Sequence, residues 1–195
     1  MSRTTFYDLV SPLYPLVDVF LAPQKRRLCE EVRDFAPNLL LEIGAGNGSH
    51  RELLHGTRSI GVDVSRRMLG TAVRQNPSTF SALLADGLAL PLADACVDAV
   101  VLSHVASVVP DPAKLLAESH RVLRAGGRLW ILNHFTPASW VGAFDRMVRP
   151  LGPILGLKTV FRVEDLSEGL SAFTPLANRP IGAFSYYRLL TLAKP

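Results

Sequence analysis

Three acids at the ends of short apolar runs, and one run of alternating glycines, are the residues of this chain best suited by type and spacing to chemistry. Glu42 comes near the end of Leu39-Leu40-Leu41-Glu42-Ile43, and Gly44-Ala45-Gly46-Asn47-Gly48 follows directly. Asp63 closes Arg58-Ser59-Ile60-Gly61-Val62, and Asp86 and Gly87 come just after Phe80-Ser81-Ala82-Leu83-Leu84. Glycines in a turn that opens a helix let backbone approach a ligand with no Cβ in the way. The spacing G-x-G-x-G is neither the dinucleotide fingerprint nor a P-loop, which requires Gly-Lys-Ser/Thr. An acid about twenty residues past the first stands where a doubly wound sheet sets a carboxylate on ribose hydroxyls.

These residues need strands to carry them. Leu39–Ile43 reads as a strand buried on both faces. Arg58–Val62 and Phe80–Leu84 read as the second and third strands. Between them Ser65-Arg66-Arg67-Met68-Leu69 opens a helix, with Ser65 as N-cap. Val97–Leu102 gives a fourth strand ending in Ser103-His104, and Arg128–Leu132 a fifth ending in Asn133-His134. Strand and helix alternate from 38 to 133, as a parallel sheet demands. Ligands in such sheets sit beyond the carboxyl ends of the strands, so His104 and His134 come to the mouth of the site. Val109-Pro110-Asp111-Pro112 starts the helix that carries Leu115, Leu116, Ser119 and Val122. His50, His55 and His120 are read as surface residues.

The flanks are read more coarsely. Pro12 and Pro15 divide the apolar segment Phe6–Leu21 into short pieces. Pro23 is expected at the first position of a helix that turns Leu28, Val32 and Phe35 to one face. Lys25-Arg26-Arg27 reads either as solvated charge or as a basic patch meeting anionic head groups. Trp140, Phe144, Met147 and Leu151 repeat at helical spacing, as a core-facing helix or as an interfacial one. Val163–Leu166 continues into a short helix. Ala183–Leu192 is a strand expected to pair antiparallel with one near Pro175–Ile181.

Composition bounds the answer. The chain has 195 residues, 48% of them hydrophobic, which suffices for one α/β domain with a sizeable core. Its two cysteines, Cys29 and Cys96, are far apart, so neither a metal knuckle nor a redox pair is expected. No apolar run approaches the roughly 18 residues that span a bilayer, and no signal segment is seen, so a cytoplasmic protein is expected. The net charge of +4 suits an anionic partner surface, nucleic acid or acidic lipid alike.

Taken together, these stretches resemble the class I S-adenosylmethionine-dependent methyltransferases. Glu42–Gly48 resembles the family's first motif, Gly61-Val62-Asp63-Val64-Ser65 its second and Ala85-Asp86-Gly87 its third. Pro91–Val100 is similar to the stretch entering the fourth strand. Arg121-Val122-Leu123-Arg124-Ala125-Gly126-Gly127 is similar to the turn into the fifth, with Ala125 where proline is common. The resemblance implies a Rossmann-like, seven-stranded, mostly parallel sheet with helices on both faces and an antiparallel last strand. It divides the chain into an N-terminal helical flap (1–37), a cofactor-binding core (38–133) and a substrate-side insertion with terminal strands (134–195).

It also implies roles. Gly44, Gly46 and Gly48 would hold the methionine end of S-adenosylmethionine, Glu42 would orient that loop or bind the ammonium group through a water, and Asp63, with Val64 beside it, would take both ribose hydroxyls. Met68, Asp86 and Gly87 would hold the adenine, and Ser103 or His104 would line the methionine end. The segment Tyr7-Asp8-Leu9-Val10-Ser11-Pro12-Leu13-Tyr14 resembles the family's opening segment, whose tyrosines face cofactor and substrate. Tyr7, His104 and His134 are the candidates for freeing a protonated amine. Ser103–Pro112 and Ile131–Phe135 are similar to bacterial phospholipid N-methyltransferases, which methylate phosphatidylethanolamine. That resemblance implies a lipid amine substrate and peripheral contact at the inner face of the membrane, with Arg146, Arg179 and Arg188 as candidates for the phosphate. A soluble N- or O-methyltransferase of small molecules or natural products shares every cofactor motif, and a non-catalytic cofactor-binding module would too. Nucleic acid is disfavoured as substrate, because Ser103-His104-Val105-Ala106 replaces the Asp/Asn-Pro-Pro-aromatic loop used on base amines.

Overall fold

The computed structural model describes residues 14–48, 50, 54, 56–75, 79–136, 161–181 and 186–195, and only the backbone of 14–22. Helix α1 (Tyr14–Phe35) is followed by β1 (Leu40–Ile43), β2 (Ser59–Asp63), α2 (Arg66–Gln75) and β3 (Phe80–Leu84). Then come β4 (Val97–Ser103), α3 (Pro112–Val122) and β5 (Leu123–His134). A 3-10 turn (Val163–Leu166) leads into α4 (Ser167–Leu170), and β6 (Thr174–Ile181) and β7 (Tyr187–Ala193) close the chain.

The strands form one sheet in the order β3-β2-β1-β4-β5-β7-β6. β1 to β5 are parallel, while β7 runs antiparallel to both β5 and β6. The Rossmann-like expectation therefore holds, including the antiparallel last strand. β1 sits at the reversal of strand order, between β2 and β4, and all four of its residues are buried. That is the place where open α/β sheets bind ligands.

Strand alternation sorts the core into two layers. Leu41, Ile43, Val62, Val100, Leu102, Leu129 and Ile131 face α3 and α4, where Leu115, Leu116, Phe161, Leu166 and Phe173 cover them. Leu40, Ala99, Val101, Trp130 and Leu132 face α1 through Leu28, Cys29 and Val32. Each such Leu, Ile or Val contributes about 1.5–3 kcal/mol by leaving water. Glu31 ties α1 to the antiparallel edge by accepting from Trp130 Nε1 (3.2 Å), Thr191 Oγ1 (2.8 Å) and Arg179 Nη1 (2.7 Å).

Three local expectations change. Pro23 lies inside α1 rather than at its start, and it is Pro15 that occupies the first turn, where no N–H is needed. β5 begins at Leu123, five residues before the expected Arg128, because Leu123 pairs with Val97 ahead of a register shift. Gly126 takes φ +75° in this stretch, and its N–H donates to Lys194 O at 3.0 Å. Of the basic cluster, Lys25 is buried while Arg26 and Arg27 are exposed, and Arg27 pairs with Glu30. The expected helix around Trp140–Leu151 and the segment before Tyr14 lie outside the described residues.

Gly61 decides how β2 is covered. A Cβ there would come within 2.3 Å of the Phe80 ring and 2.9 Å of Ala45 Cβ. Phe80 thus lies across the glycine, against Ala45 and Ala72 of α2. Gly61→Ala is expected to destabilise the fold by about 1–3 kcal/mol through overpacking. Denaturant unfolding checks this, and adding Phe80→Leu to the variant should recover part of the loss.

Candidate functional site

The loop that leaves β1 is pinned by its own backbone and by one side chain. Gly44 N–H and Ala45 N–H both donate to Val62 O, at 2.8 and 3.0 Å, and Gly48 N–H donates to Ala45 O at 3.0 Å. Gly44, Gly46 and Gly48 have φ of +74°, +55° and +78°, the left-handed region where side chains strain the backbone. A Cβ at Gly44 would stand 3.0 Å from Val105, whereas at Gly46 it would meet only Met68 Cε at 3.4 Å. The turn is therefore filled on the Gly44 side and open at Gly46.

Asp63, the last residue of β2, joins that loop to the next helix. Its Oδ2 accepts from Gly46 N–H (2.9 Å) and its Oδ1 from Ser65 N–H (2.8 Å). Burial raises its carboxyl above the ordinary carboxylate range, more than hydrogen bonds from Ser65, Gly46 and Val64 lower it, and the Glu42 charge adds to the rise. Ser65 caps α2 as expected, its Oγ accepting from Met68 N–H at 3.2 Å. Met68 is buried beside Gly46, and Val64 is 43% exposed at the strand end.

At the next tip Asp86 is exposed and its Oδ1 accepts from Leu88 N–H (2.9 Å). Gly87 is required by packing, since a Cβ would lie 2.5 Å from Ile43 Cγ2. Arg121 holds the loop beyond, donating to Leu90 O, Leu92 O and Asp94 while pairing with Glu118. The hydrogen bonds to Glu118 and then Asp94 raise the Arg121 pKa, and the Arg121 hydrogen bond lowers that of Glu118.

Ser103 ends β4 with its Oγ buried and without a hydrogen-bond partner among the described residues. His104 follows at φ +58°, its N–H donating to Leu132 O at 2.7 Å. The His104 ring meets Tyr187 edge-on at 5.7 Å, and the His134 ring stacks on Tyr186 at 5.6 Å. Tyr186 and Tyr187 are in turn 5.3 Å apart, edge to face. Four rings thus form one chain across the ends of β4, β5 and β7. Burial raises the Tyr187 pKa, which keeps its phenol protonated.

The structure brings together Glu42, Gly44, Gly46, Asp63, Met68, Asp86, Gly87, Ser103, His104 and His134 at one end of the sheet. Tyr7 and Arg146 lie outside the described residues, as does the side chain of Tyr14. Two phosphate candidates are otherwise engaged: Arg179 pairs with Glu31, and Arg188 Nε donates to Asn178 at 2.7 Å. His50 is not a surface residue. It is buried and hydrogen-bonded to Glu42 through Nδ1, because the glycine loop folds back over β1. His120 is half-buried, its ring edge-on to Phe173, and His55 lies outside the described residues. Sequence reasoning missed Tyr186 and Tyr187 as site residues. Their signal was the antiparallel register that sets Tyr187 opposite His134. Among the described residues, no group of three His, Cys, Asp or Glu is placed to hold a metal ion.

Comparison with known proteins points the same way. The methyltransferase domain family matches residues 41–131. The chain is 31% identical over 155 residues to the demethylmenaquinone methyltransferase of Thermus thermophilus, covering 73% of this chain and 70% of that one. It is 28% identical over 159 residues to the phosphatidylethanolamine N-methyltransferase of Cereibacter sphaeroides, covering 76% of this chain and 78% of the relative. Several other relatives are longer, and the chain spans less than two thirds of their length. Among solved structures, geranyl diphosphate C-methyltransferase from Streptomyces coelicolor, in complex with S-adenosyl-L-homocysteine, superposes with a TM-score of 0.66. That match is at 14% identity and covers 81% of this chain and 74% of that one, a likeness of fold.

Asp63→Ala is expected to release the Gly46 and Ser65 N–H groups together and to lower stability by about 1–3 kcal/mol. Hydrogen exchange should quicken at the Gly46 amide while the α3 amides stay protected. Unchanged exchange at Gly46 would show that the carboxylate does not hold the loop.

Proposed function

Because this chain belongs to the class I S-adenosylmethionine-dependent methyltransferases, we propose that it methylates the amine of a phospholipid head group at a membrane surface. Phosphatidylethanolamine and its mono- and dimethyl derivatives are the substrates this reading names. The observation that carries it is the chain of four rings, His104, Tyr187, Tyr186 and His134, at the strand ends. An ammonium group that gains methyls keeps its charge and loses hydrogen-bond donors, and aromatic faces attract such a cation. The relative from Cereibacter sphaeroides supports the same substrate class.

The site's residues fit the cofactor: the loop is open at Gly46, and buried Glu42 Oε2 and Ser103 Oγ lack partners among the described residues. In this reading Glu42, Gly44, Gly46, Gly48 and Ser103 hold the methionine end. Asp63 accepts from the ribose hydroxyls with the lone pairs its backbone contacts leave free. Val64 lies with Asp63 at the ribose, and Met68 packs on the adenine, whose amino group donates to Asp86 beside Gly87. Bound S-adenosylmethionine supplies a methyl group on a positively charged sulfur. The chain's own task is mainly orientation, which in favourable cases lowers a barrier by roughly 7–11 kcal/mol. An alkyl amine arrives protonated at neutral pH. His134 and His104, and Tyr7 from the N-terminal segment, are the groups proposed to take its proton.

A second reading comes from the Thermus thermophilus relative: a demethylmenaquinone acceptor, whose flat ring would stack on the same aromatic groups. Incubation with labelled S-adenosylmethionine and liposomes separates the two. Vesicles holding both phosphatidylethanolamine and demethylmenaquinone are expected to yield label in the phospholipid. Label in the quinone alone, or in a water-soluble amine but no lipid, overturns the phospholipid reading. Among the described residues no helix is long and apolar enough to cross a membrane.

The raised Asp63 pKa gives opposite pH signatures to fold and binding. Without cofactor, this group's stabilising contribution is full below its unfolded pKa and is lost as pH rises through the folded value. Ribose hydroxyls donate to the ionised form, so cofactor affinity should fall as pH drops through that raised value. Calorimetric titration from neutral to mildly acidic pH is expected to show this fall in the wild type and a flat profile in Asp63→Asn. The same profile in both proteins would remove Asp63 from the ribose site.

A further inference from the structure

We infer that His50 is a positioning residue, which holds Glu42 so that its second carboxylate oxygen meets the ammonium end of the cofactor's amino acid. The inference rests on the cofactor assignment above and adds to it a residue outside the sequence motifs. Glu42 and His50 bracket the glycine loop, one ahead of Gly44 and one two residues past Gly48. Both are withdrawn from solvent, at 1% and 4% exposure. Their Oε1–Nδ1 hydrogen bond closes the loop end to end.

The free oxygen of the carboxylate carries the argument. Glu42 Oε2 is buried and has no hydrogen-bond partner among the described residues. Buried polar atoms in native folds are satisfied, so this oxygen calls for a donor that the described residues do not supply. A carboxylate only accepts, so His50 Nδ1 donates the hydrogen of their shared bond and fixes Oε1. The second carboxylate oxygen, Oε2, is left as a buried acceptor, and it suits a donor that carries a positive charge. An ammonium has three N–H donors and the charge that a buried carboxylate lacks. Of the cofactor's parts only the amino acid carries such a group, and the glycine loop is the element that reaches it. The ribose and adenine fall to the tips of β2 and β3, at Asp63 and Asp86. Without His50 the Glu42 side chain would be free to turn toward other donors, and the acceptor would no longer be fixed beside the loop.

Two ligands that share the nucleoside but differ in the amino acid test this. S-adenosylhomocysteine carries the ammonium, and methylthioadenosine lacks it. Isothermal calorimetry with the full chain is expected to show His50→Phe weakening S-adenosylhomocysteine about tenfold or more, the loss of a charge-assisted hydrogen bond. Methylthioadenosine binding should change little. His50→Asn, whose amide N–H can take the place of Nδ1, should recover part of the affinity. Glu42→Gln should reproduce the selective loss and stands in if His50→Phe does not fold, as read from thermal melting. Equal weakening of both ligands would make His50 merely structural, and no weakening of either would leave the pair without a role at the site; each overturns the inference. A wild-type chain that binds neither ligand would instead defeat the cofactor assignment itself.

Discussion

A single carboxylate, that of Asp63, governs the geometry on which the rest of the site depends. It accepts from the glycine loop through Gly46 and from the start of α2 through Ser65. Three glycines at positive φ would otherwise leave the loop with many conformations, since glycine loses more freedom on folding than any other residue. Two charge-assisted bonds select one of them. The cost is visible in the same group: burial disfavours its ionised form and raises its pKa. A carboxylate held where it is partly desolvated is primed for hydroxyl donors from outside the chain.

The sheet makes this arrangement possible by bringing residues far apart in sequence to one edge. β1 lies between β2 and β4, so the loop after β1 has Asp63 on one side and Ser103-His104 on the other. Close approach is then enforced by absences of side chain. Gly61 admits Phe80 across β2, and Gly87 admits the Ile43 side chain beneath the third tip. Arg121 secures the segment after Asp86 with contacts to two carbonyls and two acids, a network worth more than scattered surface pairs.

At the opposite side of the mouth the chemistry changes from acids to rings. The antiparallel return of β7 sets Tyr187 opposite His134 and within reach of His104, and Tyr186 stacks on His134. The site is thus divided between a polar half suited to a nucleoside and an aromatic half suited to an acceptor with charge or a flat face. That division matches the family's need to align a sulfonium methyl with a nucleophile while keeping water out.

The fold, and the placing of the acids and glycines at one edge of the sheet, were legible in the sequence because both are written locally. Buried parallel strands appear as continuous apolar runs, and each strand end is marked by the acid or glycine that follows it. Leu39–Ile43, Val97–Leu102 and the cap at Ser65 needed no knowledge of their neighbours. What the tertiary structure alone decided were contacts between residues that no period or spacing links. His50 read as surface, set between Ser49 and Arg51; only the folding back of the glycine loop buries it against Glu42. Tyr186 and Tyr187 read as strand residues, and only the β5–β7 register turns them into part of the mouth. Arg179 read as a candidate for phosphate, and only the packing of α1 on the sheet commits it to Glu31. Periodicity fixes which face a side chain takes within its own element, whereas its partner depends on which elements meet, and that is settled by the packing of the whole chain.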